Sequence, residues 1–246
     1  MRKDHTSVKE FAEDVSTGDS VRNYWQTVDG KYAHIDYSGY LRSEGSLIQR
    51  WESSWLTRLA KSIPLRGKRV GDYGIGAGLL GEVLCTNFSV SHYVGIDIAS
   101  RQLETAARRF DKLPQCGRTL ILQTNKLDFS GLGLDLLISQ QVIQHFPSER
   151  YVSEWLTAVN DARIPKVFLE VRWAEKPQFS SWINNRAIVK HGTAAHAPDG
   201  AVTLAVLVNC QWMLQRLPAY RLEEEWATTP GVGHSHFQAC SYSLLR

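Results

Sequence analysis

The stretch Val70-Gly71-Asp72-Tyr73-Gly74-Ile75-Gly76-Ala77-Gly78 constrains this chain more than any other. It reads as a short strand breaking into a glycine turn, with an acid two residues ahead of the first turn glycine. Downstream, Tyr93-Val94-Gly95-Ile96-Asp97 reads as a second apolar strand that also ends in an acid. The turn glycines lack Cβ atoms, so the backbone can turn tightly and approach a ligand closely. Asp97 stands where a carboxylate accepts both hydroxyls of a ribose. Together the two stretches describe a pocket for an adenosine-containing cofactor at the mouth of a parallel sheet.

Two families use such a layout. Gly76-Ala77-Gly78-Leu79-Leu80-Gly81 fits the GxGxxG of the dinucleotide-binding fold. That fit requires the preceding strand to run up to Ile75 through Gly71, Asp72 and Gly74, residues that strands disfavour. Ending the strand near Tyr73 makes Gly74-x-Gly76-x-Gly78 the turn and leaves Asp72 at the strand end, facing the ligand. This arrangement resembles the first motif of class I S-adenosylmethionine-dependent methyltransferases, an acid followed by GxGxG. Tyr73 and Ile75 depart from that motif's usual residues, which is tolerable where the backbone does the binding.

The rest of the chain follows in compatible order. Leu47, Ile48, Trp51, Trp55, Leu56 and Leu59 recur at helical spacing, ended by Pro64 and Gly67. Strands are expected at about 69–73, 92–98, 119–123, 134–139 and 166–171. Helices lie between them, striped by Leu79, Leu80, Val83 and Leu84, by Leu103, Ala106, Ala107 and Phe110 after a Ser100 cap, and by Val152, Trp155, Leu156 and Val159. Alternation of this kind predicts an α/β fold with a doubly wound, mostly parallel sheet. It breaks after Trp173: 186–191 and 201–208 could pair as a hairpin, or Asp199 could open one long helix. Asn209 caps a helix at about 210–217, and strands at about 220–227 and 236–245 close the chain.

From about residue 47 onward the chain resembles the class I methyltransferases in motif order. The resemblance implies a seven-stranded Rossmann-like domain over 46–246, an N-terminal arm and lid over 1–45, and an inserted cap at about 174–208. It implies S-adenosyl-L-methionine as cofactor and S-adenosyl-L-homocysteine as product. Gly74, Gly76 and Gly78 would wrap the methionine and ribose. Asp72 would be tied to the aminoacyl end, and Asp97 would hold the ribose, with Ile98 on the adenine face. Asn125 matches the adenine-amine position, with Lys126 beside it and Asp128 as rival; Gln140 ends the fourth strand beside the cofactor. His145, in Gln144-His145-Phe146-Pro147, is the acid–base candidate, because imidazole titrates near neutrality; capping or packing is its other reading. Gln141, Glu170, Arg172 and Trp173 would face the acceptor, unless Glu170 and Arg172 only pair with each other. Tyr24, Trp25 and Tyr37 would wall the pocket or merely pin the arm. His234 would line the pocket or lie on the surface; with His236 it lacks a dense acidic ligand set, so no metal is assigned.

Composition narrows the reading. A net charge of +3, with no dense Lys/Arg run, gives no reason to expect nucleic acid. No apolar run is long enough to span a bilayer, and Met1–His5 lacks the start of a secretory signal, so a cytoplasmic protein is expected. Cys85, Cys116, Cys210 and Cys240 form no CxxC pair and read as free thiols. The expectation is an enzyme that methylates an O or N atom of a small molecule such as a natural product or sugar, with the cap offering a homodimer contact. The alternatives are a protein- or RNA-modifying methyltransferase and a catalytically silent binding subunit.

Overall fold

The computed structural model describes residues 55–111, 113, 116–123, 128–146, 148–184, 187–189, 202–229 and 237–245. Helix α1 (Trp55–Ser62) leads into β1 (Arg69–Tyr73), α2 (Leu79–Asn87), β2 (His92–Asp97), α3 (Ser100–Phe110) and β3 (Gly117–Leu122). Then follow β4 (Leu136–Gln140), a 3₁₀ turn (Ile143–His145), α4 (Glu149–Ala162) and β5 (Lys166–Arg172). The chain ends with β6 (Gln178–Asn184), β7 (Ala187–Val189), β8 (Val202–Leu207), α5 (Cys210–Leu214), β9 (Tyr220–Thr229) and β10 (Phe237–Leu244).

The main sheet has seven strands in the order β3-β2-β1-β4-β5-β10-β9. β1 pairs in parallel with β2 on one side and β4 on the other. β10 runs antiparallel between β5 and β9. The expected doubly wound sheet with a terminal hairpin is therefore the observed one. The direction of winding reverses between β1 and β4, and in such sheets the crevice beyond the strands' carboxyl ends receives the ligand.

Burial on both faces explains the apolar strands. In β4, Leu136 and Ile138 join the core beneath α1, α2 and α3, while Leu137 joins the opposite core under α4. A central parallel strand is covered on both sides, so it reads as a continuous apolar run. Helix α4 starts at Ser148, whose Oγ accepts the Tyr151 N–H at 3.2 Å, and buries Val152, Trp155, Leu156 and Val159. Trp155 stands edge-on to Tyr73 at 5.3 Å and to Phe129 at 5.8 Å between ring centroids. That aromatic contact fastens α4 to the end of β1.

Some expectations are corrected. Segments 187–189 and 202–207 do not pair with each other; both flank β6, a strand absent from the sequence reading, in the order β7-β6-β8. Only two residues of sequence separate β6 from β7, and so short a connection costs less closure entropy than one spanning Gly192–Gly200. Ser100 is the first residue of α3 and not its cap; Ala99 holds that position, and the carboxylate of Asp97 accepts its N–H. Cys210 and Cys240 are bonded to each other, not free, while Cys85 and Cys116 are thiols with sulfurs 2.8 Å apart. Asn209 caps α5 as expected, accepting the Trp212 N–H at 2.8 Å. Among the described residues no helix is long and apolar enough to cross a membrane.

Trp155 is fully buried against three aromatic rings. Trp155→Ala is expected to destabilise the domain by about 3–5 kcal/mol, read as a lower urea midpoint at unchanged slope.

Candidate functional site

The glycine turn is built as the sequence suggests, but its glycines serve different ends. Gly74, Gly76 and Gly78 all have φ between 52° and 78°, a region L side chains rarely enter. A Cβ on Gly74 would stand 2.3 Å from Val142 Cγ2, and one on Gly78 would stand 2.8 Å from Ala106 Cβ. Those two glycines let the protein pack against itself. Only at Gly76 is the space open, with no heavy atom within 4 Å. Gly76 is where a ligand can lie on the backbone.

Asp97 pins this turn. Its Oδ2 accepts the Gly76 N–H and its Oδ1 the Ala99 N–H, each at 2.9 Å. The Gly74 N–H also donates to the Ile96 carbonyl at 2.7 Å, continuing the β1–β2 pairing past the strand end. Asp97, Ile98 and Gly76 line one side of a cavity of about 210 Å³. A carboxylate fixed this way is presented to a ligand's hydroxyls without having to be ordered on binding.

Asp72 is placed differently from the expectation. It does not face the cavity; it is buried beneath the turn, where its Oδ2 accepts the Tyr93 O–H at 2.6 Å. The alternation of β1 explains this, since Asp72 shares the face of Val70 while Tyr73 takes the other. Burial, with the Asp97 charge adding to it, pushes the Asp72 carboxyl from 3.8 up to about 7, against the hydrogen bond from Tyr93.

The cavity's other wall comes from beyond β4. Gln140, Gln141, Val142 and His145 line it, joined by Phe146 and by Tyr151 from α4. Gln141 carries φ of 55°; its backbone N–H donates to the Glu170 carbonyl at 3.0 Å and its Nε2 to Glu170 Oε2 at 3.2 Å. A strained non-glycine residue at such a crevice is a feature of ligand sites. Burial, helped by the Arg172 cation, pushes His145 down to about 4. The imidazole is therefore neutral throughout the physiological range, not poised near neutrality.

Glu170 is buried and bonded to Gln141, while the Arg172 guanidinium lies over the Phe237 ring at 5.0 Å. Trp173 is exposed, bridges to Val208, and stands apart from the cavity. Asp128 is exposed and accepts the Ser130 N–H at 2.8 Å, also away from the cavity. Tyr24, Trp25, Tyr37, Asn125, Lys126 and His234 lie outside the described residues. Sequence reasoning missed Tyr73 and Tyr151 as cavity residues. Their phenols meet, and Tyr73 O–H donates to Gln123 Oε1 at 2.7 Å. The available signal was the Ser148 cap, which sets Tyr151 in the first turn of α4, beside the crevice.

Comparison with known proteins adds three findings. Residues 70–162 match a family model described as a methyltransferase domain. No curated protein matches the chain in sequence. Among solved structures, magnesium protoporphyrin IX methyltransferase from Synechocystis PCC 6803 with bound SAM superposes with a TM-score of 0.57, at 15% identity over 92% of this chain and 95% of that one. A S-adenosylmethionine-dependent methyltransferase from Clostridium acetobutylicum ATCC 824 gives 0.58 at 12% identity, covering 87% and 98%. The glycopeptide N-methyltransferase MtfA in complex with SAM gives 0.53 at 12% identity, covering 77% and 92%. At these identities the likeness is one of fold.

The Asp72 geometry generates a pH prediction. The folded chain binds the Asp72 proton more tightly than the unfolded chain does, so this stabilisation is complete below pH 3.8 and is lost as pH rises through about 7. At about 1.4 kcal/mol per pH unit, denaturation of the native protein and of Asp72→Asn should show the native protein losing about 4 kcal/mol relative to the variant across that window.

Proposed function

We propose that this chain is a class I S-adenosylmethionine-dependent methyltransferase, a reading supported by the methyltransferase-domain match over 70–162 and the shared fold, and that it methylates an O or N atom of a small molecule held between the glycine turn and His145. One observation carries this reading. The cavity is bounded by Gly76 and Asp97 on one side and by Gln141, His145 and Tyr151 on the other, which supports a donor and an acceptor lying side by side in it. Its size and aromatic walls suit a compact acceptor. By their names, two proteins of the same fold methylate a porphyrin and a glycopeptide.

The residues present fit the donor. The open space over Gly76 admits a ligand against the backbone, and Asp97 offers its carboxylate to a ribose diol. Ile98 and Tyr73 supply apolar and aromatic surface in the same cavity. Asp72 supplies negative charge beneath the turn, which favours an aminoacyl ammonium and is itself favoured by it. The bound donor supplies an electrophilic methyl on a sulfonium and leaves as a neutral thioether.

His145 would act on the acceptor. Its neutral imidazole accepts the acceptor's O–H or N–H and turns the lone pair of that atom toward the donor side. As the new bond to the methyl forms, the acceptor's proton passes to the imidazole. Alignment contributes most of the rate, because an in-line displacement depends on the approach geometry. Tyr151 and Phe146 keep water from the reacting atoms.

Asp97→Ala is expected to weaken donor and product binding by about 1–3 kcal/mol; unchanged affinity in a folded variant contradicts the ribose assignment. His145→Ala should lower turnover roughly 10²-fold with donor affinity unchanged, measured by labelled-methyl transfer. At saturating donor, kcat/KM for the acceptor should stay flat between pH 5.5 and 8 as far as His145 is concerned. It should fall only as pH drops toward about 4, where the imidazole gains its proton.

A further inference from the structure

Arg172 ends β5, the strand beside β4, so it stands at the carboxyl edge of the sheet where the crevice opens. Its Nε and Nη1 are buried and meet no hydrogen-bond acceptor. No carboxylate among the described residues forms an ion pair with it. Glu170, two residues earlier on the same strand face, accepts from Gln141 instead. Among the described residues, the guanidinium's aromatic contact is the Phe237 ring on β10, directly across the ladder. Burial lowers the Arg172 pKa, yet guanidinium stays charged at neutral pH. The fold thus sinks a cation into the crevice edge and leaves its donors unmade, an arrangement that is costly unless an anion arrives.

The cation is also coupled to the site already described. Arg172 stands behind the cavity wall and does not line it; its charge acts on His145, which does, and Glu170 two residues earlier is bonded to the lining residue Gln141. We propose that Arg172 recognises an anionic group, a carboxylate or a phosphate, on the methyl acceptor and seats that acceptor between itself and His145. This rests on the reading of the cavity as a methyl-transfer site and specifies the substrate class. The planar fork of donors matches the oxygens of either group, and the Phe237 ring holds the fork's plane.

Recognition of this kind tunes the base. Two influences hold the imidazole down, burial and the Arg172 cation. Among the described residues, the phenols of Tyr73 on β1 and Tyr151 on α4 share the cavity wall with it, and Glu170 on β5 is bonded to the neighbouring wall residue Gln141. An anion on Arg172 cancels the cation's influence, so His145 becomes a stronger base when an anionic acceptor is in place. A neutral molecule of the same shape leaves it weak.

The test uses the full chain saturated with S-adenosylhomocysteine and titrated with benzoate, phenyl phosphate and neutral benzamide. Calorimetry gives the affinities, and NMR gives the His145 titration. Benzoate or phenyl phosphate should bind at least ten-fold more tightly than benzamide, and the tighter of the two identifies the group. Arg172→Gln should abolish that preference, Arg172→Lys should restore part of it, and both should bind S-adenosylhomocysteine as the native chain does. The His145 pKa should rise on anion binding in the native chain alone. If Arg172→Gln loses S-adenosylhomocysteine through misfolding, Arg172→Lys carries the comparison, with a weakened preference expected. Benzamide binding as tightly as the anions, a preference that survives in Arg172→Gln, or no probe binding would each overturn the proposal. A native chain that does not take S-adenosylhomocysteine would fault the donor reading instead, and this proposal with it.

Discussion

One carboxylate organises the site. Asp97 closes β2, accepts the Gly76 N–H from the turn after β1, and accepts the Ala99 N–H at the start of α3. Both of its oxygens are thereby engaged by backbone from two loops that the sheet brings to the same end. The turn it pins is left-handed at Gly74, Gly76 and Gly78, a path that depends on glycine and on a fixed anchor. The proposed methyl-donor site is therefore shaped before a donor arrives, and less ordering is required on binding.

The neighbouring electrostatics follow from burial. The crevice sits between two apolar cores, and burial displaces Asp72 and His145 from their ordinary behaviour. Asp72 is pushed up to about 7 and His145 down to about 4, both chiefly by desolvation. Arg172 keeps its charge, and with it a pressure on His145. A carboxyl poised near pH 7, an imidazole that stays neutral and a cation without an acceptor among the described residues fit the proposed site for charge that a ligand brings.

The sheet, the glycine turn and Asp97 were legible in the sequence because backbone requirements leave local marks. Positive φ selects glycine, strands covered on both faces read as apolar runs, and Asn209 announces a helix through its cap. What depended on the third dimension was not legible. Gly74 and Gly78 are needed for packing against Val142 and Ala106, which lie far along the chain. Asp72 turns away from the ligand because β1 alternates, and its partner Tyr93 sits on another strand. The Cys210–Cys240 bond joins α5 to β10, and no spacing motif marks it. β6 escaped notice because its residues lack a clean two-residue alternation.

On this reading the crevice beyond β1 and β4 binds S-adenosylmethionine. Calorimetric titration of the full chain with S-adenosylmethionine, S-adenosylhomocysteine and NAD in parallel tests it most directly. The account predicts micromolar-class binding of the first two and none of NAD. Binding of NAD alone would contradict it.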